Sequence, residues 1–358
     1  MKQSDSQLVS IVVNNYNYGR FLGEAVDSAL GQTYPQVEVV VVDDGSTDDS
    51  REIIEAYGAR IVTVLKENGG QGSAFNAGFG VCRGDIVIFL DADDVVLPDT
   101  AYRVVAAFDG RPELSKAQYR LELIDAAGAP TGKHDPPMFM SMPNGDLSRL
   151  ALTFPDDIPH PPTSGNAFAA WALRRILPLP EEQYRVLADV YVLNLTLLLG
   201  PIVSLPETGG RYRVHGGNKH YTPTIELDRV RDLLRVTRDT HVHQQRLARS
   251  LELLPPGAVP EVSSLTFLAR RLVSLKLDPG QHPIQGDRVA ELSRRGIAAA
   301  LRRPGLSPVL RALYVSWFAA MAAAPLPAAR WLSERLFYPE SRRGLARILT
   351  RLRPGGSG

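Results

Sequence analysis

Residues 89 to 98 read Phe-Leu-Asp-Ala-Asp-Asp-Val-Val-Leu-Pro, so Asp91, Asp93 and Asp94 fall within four positions behind an apolar run. Neighbouring carboxylates repel and raise one another's pKa unless a cation sits among them. Alternate aspartates at a strand end can present oxygens to one hard divalent ion, Mn2+ or Mg2+, whose remaining positions a diphosphate and water fill. The competing reading is an acidic turn in which Asp94 or Asp99 caps the following helix. A second acidic stretch, Asp43-Asp44-Gly45-Ser46-Thr47-Asp48, divides in two. Ser46, Thr47 and Asp48 carry side-chain oxygens of the kind that accept a helix's first amides. Asp43 and Asp44 precede that cap, where a carboxylate can accept a ribose hydroxyl or a base N–H. A third stretch, Asn68 to Asn76, opens a helix with three glycines, whose bare amides suit a phosphate. Its spacing is neither a dinucleotide fingerprint nor a P-loop, and Phe75 within it reads as core.

Four apolar runs must position these residues: 8 to 13, 37 to 42, 61 to 65 and 86 to 90. They are nearly continuous, which predicts strands covered on both faces. Stretches of helical length lie between them, at 20 to 30, 48 to 57 and 71 to 81. This alternation predicts a parallel sheet flanked by helices, with right-handed crossovers that put every strand exit on one edge. Asn14 to Gly19, Asp43 to Asp48, Asn68 to Gly72 and Asp91 to Asp94 are those exits, and ligands bind outside the carboxyl ends of such strands. Further on, 116 to 124 alternates like a partly exposed strand, and 136 to 162 is proline-rich and irregular. Helices are expected around 167 to 176 and 187 to 199, a strand pair across 202 to 214, and helix from 225 onward.

Taken together, Ser10 to Val13 with Tyr16-Asn17, Gln32-Thr33-Tyr34, Val39 to Asp48, Asn68 to Gly78 and Gly84 to Asp94 resemble the family 2 glycosyltransferases of GT-A fold. The resemblance covers roughly residues 8 to 110. It implies an α/β, Rossmann-like, mostly parallel sheet with a C-terminal helical extension. It also implies a nucleotide-sugar donor, a divalent metal and inversion at the anomeric carbon. On this reading Asn15, Tyr16, Asn17, Asp43, Asp44, Asn68, Gly72 and Asp91 serve the donor nucleotide. Asp91, Asp93 and His215 serve the metal. Asp189, in Tyr184 to Tyr191, resembles the family's helix-borne catalytic carboxylate, with Glu181 and Glu182 as weaker candidates. Arg211 to Asn218 resembles a segment that closes over the donor, where Arg213 offsets phosphate charge. Thr163 to Asn166 looks like an acceptor-side loop, which makes Gly165 and Asn166 acceptor or diphosphate contacts. The chain departs from the family at Asn14-Asn15, where a proline and a small residue are usual, at Phe75 in place of an arginine, and at Ala188 in place of an acid.

The 358 residues suffice for two domains. The expected division is a nucleotide-sugar half at 1–110, an acceptor half at 111–222, a helical region at 223–353 that is basic from about 294, and a disordered tail at 354–358. From Arg294 to Arg353 twelve arginines face two acids, about +10 in a chain whose net charge is +1. Such a region suits anionic lipid headgroups, a peripheral contact with the inner face of the membrane. Residues 312 to 329 carry no charge, but Pro325 and Pro327 interrupt them, so a spanning, an interfacial and a buried helix all remain open. Cys82 is the lone cysteine, which excludes an intramolecular disulfide. The first residues lack a signal peptide's apolar stretch, and a cytoplasmic location is expected. His241 and His243 read as surface residues. The function expected is transfer of a sugar, most simply from a UDP-sugar, to a glycan or lipid-linked hydroxyl in bacterial cell-surface glycan synthesis, with no nucleic-acid partner. The rivals are a sugar-phosphate nucleotidyltransferase and a silent nucleotide-sugar-binding scaffold.

Overall fold

The computed structural model describes residues 7–216, 226–255, 257–258 and 262–337. The predicted tail at 354–358, the boundary at 222, Gly217-Asn218 of the closing segment and the five arginines beyond 337 lie outside the described residues. The chain divides into two compact units, Met1–Gly216 with Val236–Pro260, and Gly217–Arg235 with Glu261–Gly358.

The first unit opens with β1 (Val9–Asn15), α1 (Gly19–Leu30), β2 (Val37–Asp43), α2 (Ser50–Tyr57), β3 (Val62–Leu65), α3 (Gln71–Val81) and β4 (Ile86–Asp91). It continues through β5 (Val95–Val96), α4 (Thr100–Phe108), β6 (Lys116–Ile124), β7 (Pro130–Asp135), α5 (Ser148–Thr153), β8 (Asn166–Ala169), α6 (Ala170–Leu173), α7 (Ala188–Thr196) and β9 (Ile202–Arg213). The strands form one sheet in the order β3-β2-β1-β4-β8-β6-β9-β5, with β7 paired to β6. The first four run parallel, in a register that sets Asn15 beside Asp43 and Asn14 beside Asp91. β8 is antiparallel to both β4 and β6, while β9 is parallel to β6.

β1, β2 and β4 are valine- and isoleucine-rich and buried on both faces, as continuous apolar runs require. Each fully buried Val or Ile contributes about 1.5–3 kcal/mol through apolar area removed from water. β3 breaks the expectation. It is the edge strand and largely exposed, so its apolar run does not mark a covered strand. β6 is buried along nearly its whole length, not partly exposed, because β9 pairs along one side and β8 and β7 share the other. Residues 166–169 form a strand before a single helical turn, where helix alone was expected. Ile202–Arg213 is one long strand, not a pair. Its register against β6 shifts on either side of Arg120.

The described helices that follow are α8 (Leu227–Ser250), α9 (Leu265–Leu277), α10 (Val289–Arg302), α11 (Pro308–Ala323) and α12 (Leu326–Phe337). His241 is buried, not a surface residue, and pairs with Asp156 through Nε2 at 3.1 Å. His243 is half-buried against Tyr184 and Tyr191. In the second unit α9, α10, α11 and α12 pack around Leu268, Leu272, Leu292, Trp317, Phe318 and Met321. The uncharged stretch 312–329 is broken between α11 and α12, and among the described residues no helix is long and apolar enough to cross a membrane.

Candidate active site

The acidic turn after β4 is wired into its surroundings. The Asp91 amide donates to Ser164 Oγ at 3.1 Å, and the Ser164 hydroxyl donates to Asp94 Oδ2 at 2.6 Å. Asp94 Oδ1 accepts the Arg213 amide at 3.0 Å. Asp94 is therefore a buried tether between the 163–166 loop and β9, not a helix cap. Asp99 precedes α4 without a side-chain cap bond and pairs with Arg103. Asp93 meets His215 Nε2 at 3.0 Å, and its backbone oxygen accepts Arg213 Nε at 2.9 Å. His215 packs edge-on to Tyr18 and tilted against Phe21.

Burial pushes the carboxyls of Asp91, Asp93 and Asp94 upward. The charge of Asp93 adds to the push on the other two, while the His215 hydrogen bond partly offsets it at Asp93. The turn thus holds more negative charge than its protein partners neutralise. Among the described residues no hydrogen bond to the Asp91 carboxylate is found. An excess of carboxylate oxygens with one side chain unclaimed fits a hard, oxygen-seeking divalent cation. Among the described residues no group of three or more His, Cys, Asp or Glu side chains is arranged to cage a metal, so such an ion also needs oxygens from a ligand. His215, expected as a metal ligand, has the relevant nitrogen on Asp93. Arg213, expected at a phosphate, is buried. Its guanidinium pairs with Glu24 at 2.5 Å and lies 5.0 Å from the Phe21 ring, so it holds the turn from behind.

The exits of β1 and β2 are locked together. Asn15 Nδ2 donates to Asp43 Oδ1 at 3.0 Å and to Ser46 Oγ at 3.1 Å. Asn17, in the left-handed region at φ 58°, donates its amide to Ser46 Oγ and accepts the Thr47 amide at 2.7 Å. Ser46 and Thr47 therefore brace the β1 exit and do not cap α2. Asp48 accepts the Ser50 amide and also reaches the Gly19 amide. Tyr16 stands above this floor at 42% exposure, an open aromatic face at the sheet edge. The amide oxygens of Asn14 and Asn15 are buried without a partner. Orphaned acceptors at a ligand edge are what a nucleoside's N–H and O–H groups would satisfy.

The glycine-rich exit of β3 serves a different end from the one expected. Asp44 accepts the amides of Gly69 at 2.9 Å and Gly70 at 2.7 Å, along with Asn68 Nδ2 and Lys66 Nζ. The next two amides, Gln71 and Gly72, donate to the Arg185 and Tyr184 carbonyls at 2.9 Å each. The amides of Gly69, Gly70, Gln71 and Gly72 are thus all taken within the protein, and Asp44 has no capacity left for a ribose. Gly70 and Gly72 are small because a Cβ would lie 2.4 Å from Arg185 O and 2.5 Å from Leu179 Cδ1, respectively. What the loop holds is the approach to α7. Arg185 Nη2 donates to Asn68 Oδ1 and the Ala188 amide to Gln71 Oε1, while Asn76 exchanges two bonds with Leu179.

Asp189 follows in the first turn of α7, half-buried, with Oδ1 on the Val190 amide. Its carboxylate lies within electrostatic reach of Asp91 and contributes to the upward push there. Glu181 instead accepts Asn76 Nδ2 at an exposed position. In the loop expected on the acceptor side, Gly165 is packed under Pro161, and Asn166 is buried between Lys116 Nζ at 2.9 Å and the Pro162 carbonyl at 2.8 Å. Neither faces a ligand; both fix the loop. Sequence reasoning missed three residues here, Ser164, Lys116 and His160. His160 stands between Pro159 and Pro161, ringed by protein yet reached by solvent, with Nδ1 on the Pro161 carbonyl at 3.0 Å. Burial and the neighbouring Lys116 push its pKa down, against the opposing pull of Asp189 and Asp156. A histidine flanked by prolines was the available signal.

Residues 10–169 match the family model described as glycosyl transferase family 2. An uncharacterized glycosyltransferase of Nostoc sp. is 36% identical over 221 residues, 59% of this chain and 66% of the relative. Matches to further curated relatives span less of their length, from 14% in one case to 37% in another. In three dimensions the chain is similar to Staphylococcus aureus TarS 1-349 in complex with UDP-GlcNAc. The TM-score is 0.50 at 18% identity, over 92% of this chain and 91% of that one. It is also similar to the mannosyltransferase PcManGT of Pyrobaculum calidifontis in complex with GDP-Man and Mn2+. There the TM-score is 0.51 at 20% identity, over 97% and 84%. At these identities the likeness speaks for the fold, which is GT-A.

Proposed function

We propose, for a chain that belongs to glycosyl transferase family 2 through residues 10–169, that it moves a sugar from a nucleoside-diphosphate donor to an acceptor hydroxyl with inversion at the anomeric carbon. The observation that carries the reading is that Asp189, a helix-borne carboxylate, lies within electrostatic reach of Asp91 at the acidic strand exit. An inverting displacement needs one base, on the side of the incoming hydroxyl. Asp189 takes that proton as the new C–O bond forms and the bond to the diphosphate breaks. Asp91 and Asp93 are the side chains that would hold a divalent cation. Mn2+ in the Pyrobaculum structure supports one in this fold. When bound, such an ion supplies positive charge to the departing diphosphate.

The chain's own residues do the rest. Tyr16 offers its ring to the base, and Asn15, oriented by Asp43, offers an amide oxygen. Asp44, Asn68 and Gly72 act at a distance by docking α7. UDP is the donor nucleotide we favour, supported by the UDP-GlcNAc complex of TarS. A glycan or lipid-linked hydroxyl of a bacterial cell-surface polymer is the acceptor class.

Calorimetric titration of UDP and of GDP, with and without Mn2+, tests the reading on the wild type, Asp93→Ala and Asp189→Asn. UDP binding should need the metal, vanish in Asp93→Ala and persist in Asp189→Asn, while turnover of Asp189→Asn falls about 10²–10⁴-fold. Full turnover in Asp189→Asn would remove the base from its assignment. Binding of GDP alone would change the donor.

A further inference from the structure

α11 turns an uncharged face to water. Among its exposed positions, Val309, Ala312, Leu313, Ser316, Ala320 and Ala323 line one stripe along about 24 Å of helix, and Pro308, Leu310 and Ala319, also exposed, are uncharged as well. The opposite face is seated in the second unit through Trp317, Phe318 and Met321. Arg311 is the one charged residue of the helix, near its first turn. α10 is the contrast within the same unit, since its exposed positions include Glu291, Arg294 and Arg302. α12 follows α11 directly in sequence and also exposes apolar side chains, Leu326 at 58% and Trp331 at 55%. The Trp331 ring lies 5.1 Å from the Arg335 guanidinium.

Charge decides what such a face meets. Between 294 and 337 the chain carries seven arginines and one acid, Glu334, and five more arginines follow in sequence. A twofold pairing of the face with a second copy would cover the stripe but add a second arginine-rich region of the same sign, with no acid but Glu334 between 294 and 337 to answer it. A nucleic acid would leave the exposed leucines without a partner. A bilayer with anionic headgroups satisfies both chemistries at once. Apolar side chains and tryptophan enter the headgroup and acyl boundary, and arginines keep their heads among the phosphates. We propose that the solvent face of α11, with Leu326 and Trp331 of α12, lies in the interface of an anionic lipid bilayer. The helix lies on the membrane and does not cross it. This attachment goes beyond the sugar transfer and stands or falls without it.

Flotation of the full chain with vesicles tests it, using phosphatidylcholine alone and phosphatidylcholine with about a quarter phosphatidylglycerol. The wild type should float with the anionic vesicles and at least about tenfold less with neutral ones, with release by salt. Leu313→Asp, Ala320→Asp and the double change Arg302→Glu with Arg330→Glu should each lower anionic binding about tenfold or more. Trp331 emission should shift to the blue on anionic vesicles only. Circular dichroism establishes that each variant is folded, and Ala320→Asp, at an exposed small residue, stands in if Leu313→Asp is not. Absent flotation, binding unchanged in the folded variants, or equal binding to neutral vesicles would overturn the proposal. A dimer in sedimentation equilibrium that Leu313→Asp dissociates would overturn it in favour of a second copy.

Discussion

His160 shows how much one side chain's chemistry depends on a single hydrogen bond. A carbonyl cannot donate, so the Pro161 oxygen requires the proton on Nδ1 and leaves the neutral ring's Nε2 with a lone pair and no partner among the described residues. Asp189 is within electrostatic reach of the ring, and on the function proposed above that lone pair is available to an acceptor hydroxyl. His160→Phe should leave UDP titration unchanged and raise the acceptor KM about tenfold, with partial rescue in His160→Gln, whose amide oxygen can accept. An unaltered acceptor KM in both variants would put His160 outside the acceptor site. Lys116 lies beneath this loop, fully buried, with Nζ on the neutral oxygens of Gln118 and Asn166 at 2.9 Å each. Burial without a carboxylate lowers its pKa to about 7 from 10.5. Between those values the native state binds fewer protons than the unfolded chain, so stability from this group rises with pH across the window and is flat below it. The slope is at most about 1.4 kcal/mol per pH unit. Urea unfolding across that range should show this component in the wild type and lose it in Lys116→Met.

At the scale of elements, the site exists because two loops are fastened to each other. The turn into α3 gives its amides to Asp44 and to the backbone before α7, and this docks the start of α7, with Asp189, against the exits of β2 and β3. Gly70 combines φ 87° with an Arg185 carbonyl where a Cβ would sit. Gly70→Ala should therefore cost about 1–3 kcal/mol of stability. It should also lower kcat well beyond any change in UDP affinity, because the base is displaced while the nucleoside floor is not. Equal losses in both would mean that the loop touches the donor after all. The first four strands and their exits were legible in sequence because each is a local pattern, an apolar run followed by a polar break. The partners of the exits were not. That Asp44 faces four donors, that Asn166 faces a lysine 50 residues earlier, and that His241 is buried on Asp156 are consequences of tertiary contact with no local signature. The glycines of 69 to 72 were visible, but spacing cannot tell a phosphate from a carbonyl as the atom that comes close. β6 misled for a related reason, since a strand's polar residues do not reveal that neighbours cover both of its edges.

Across the whole molecule, charge and ligand chemistry are divided between the two units. The carboxylates of the candidate site all belong to the first, while the arginine-rich helices α10 to α12 belong to the second. A ligand that binds only the folded first unit stabilises it by mass action, about 2.7 kcal/mol at one hundred times its Kd. The excess negative charge at Asp91, Asp93 and Asp94 makes that linkage depend on two ligands, because nucleoside diphosphate alone would add anion to anion. UDP alone should therefore raise the melting temperature little, and Mn2+ alone modestly by relieving the carboxylates. The two together should raise it by several degrees, on the order expected from that linkage. Asp93→Ala should abolish the joint effect. It should also melt no lower than the wild type in the absence of metal, since it removes one of three mutually repelling groups. Scanning calorimetry of both proteins under the four ligand conditions decides the matter. A joint shift no larger than the sum of the separate ones would mean that metal and nucleotide do not share a site.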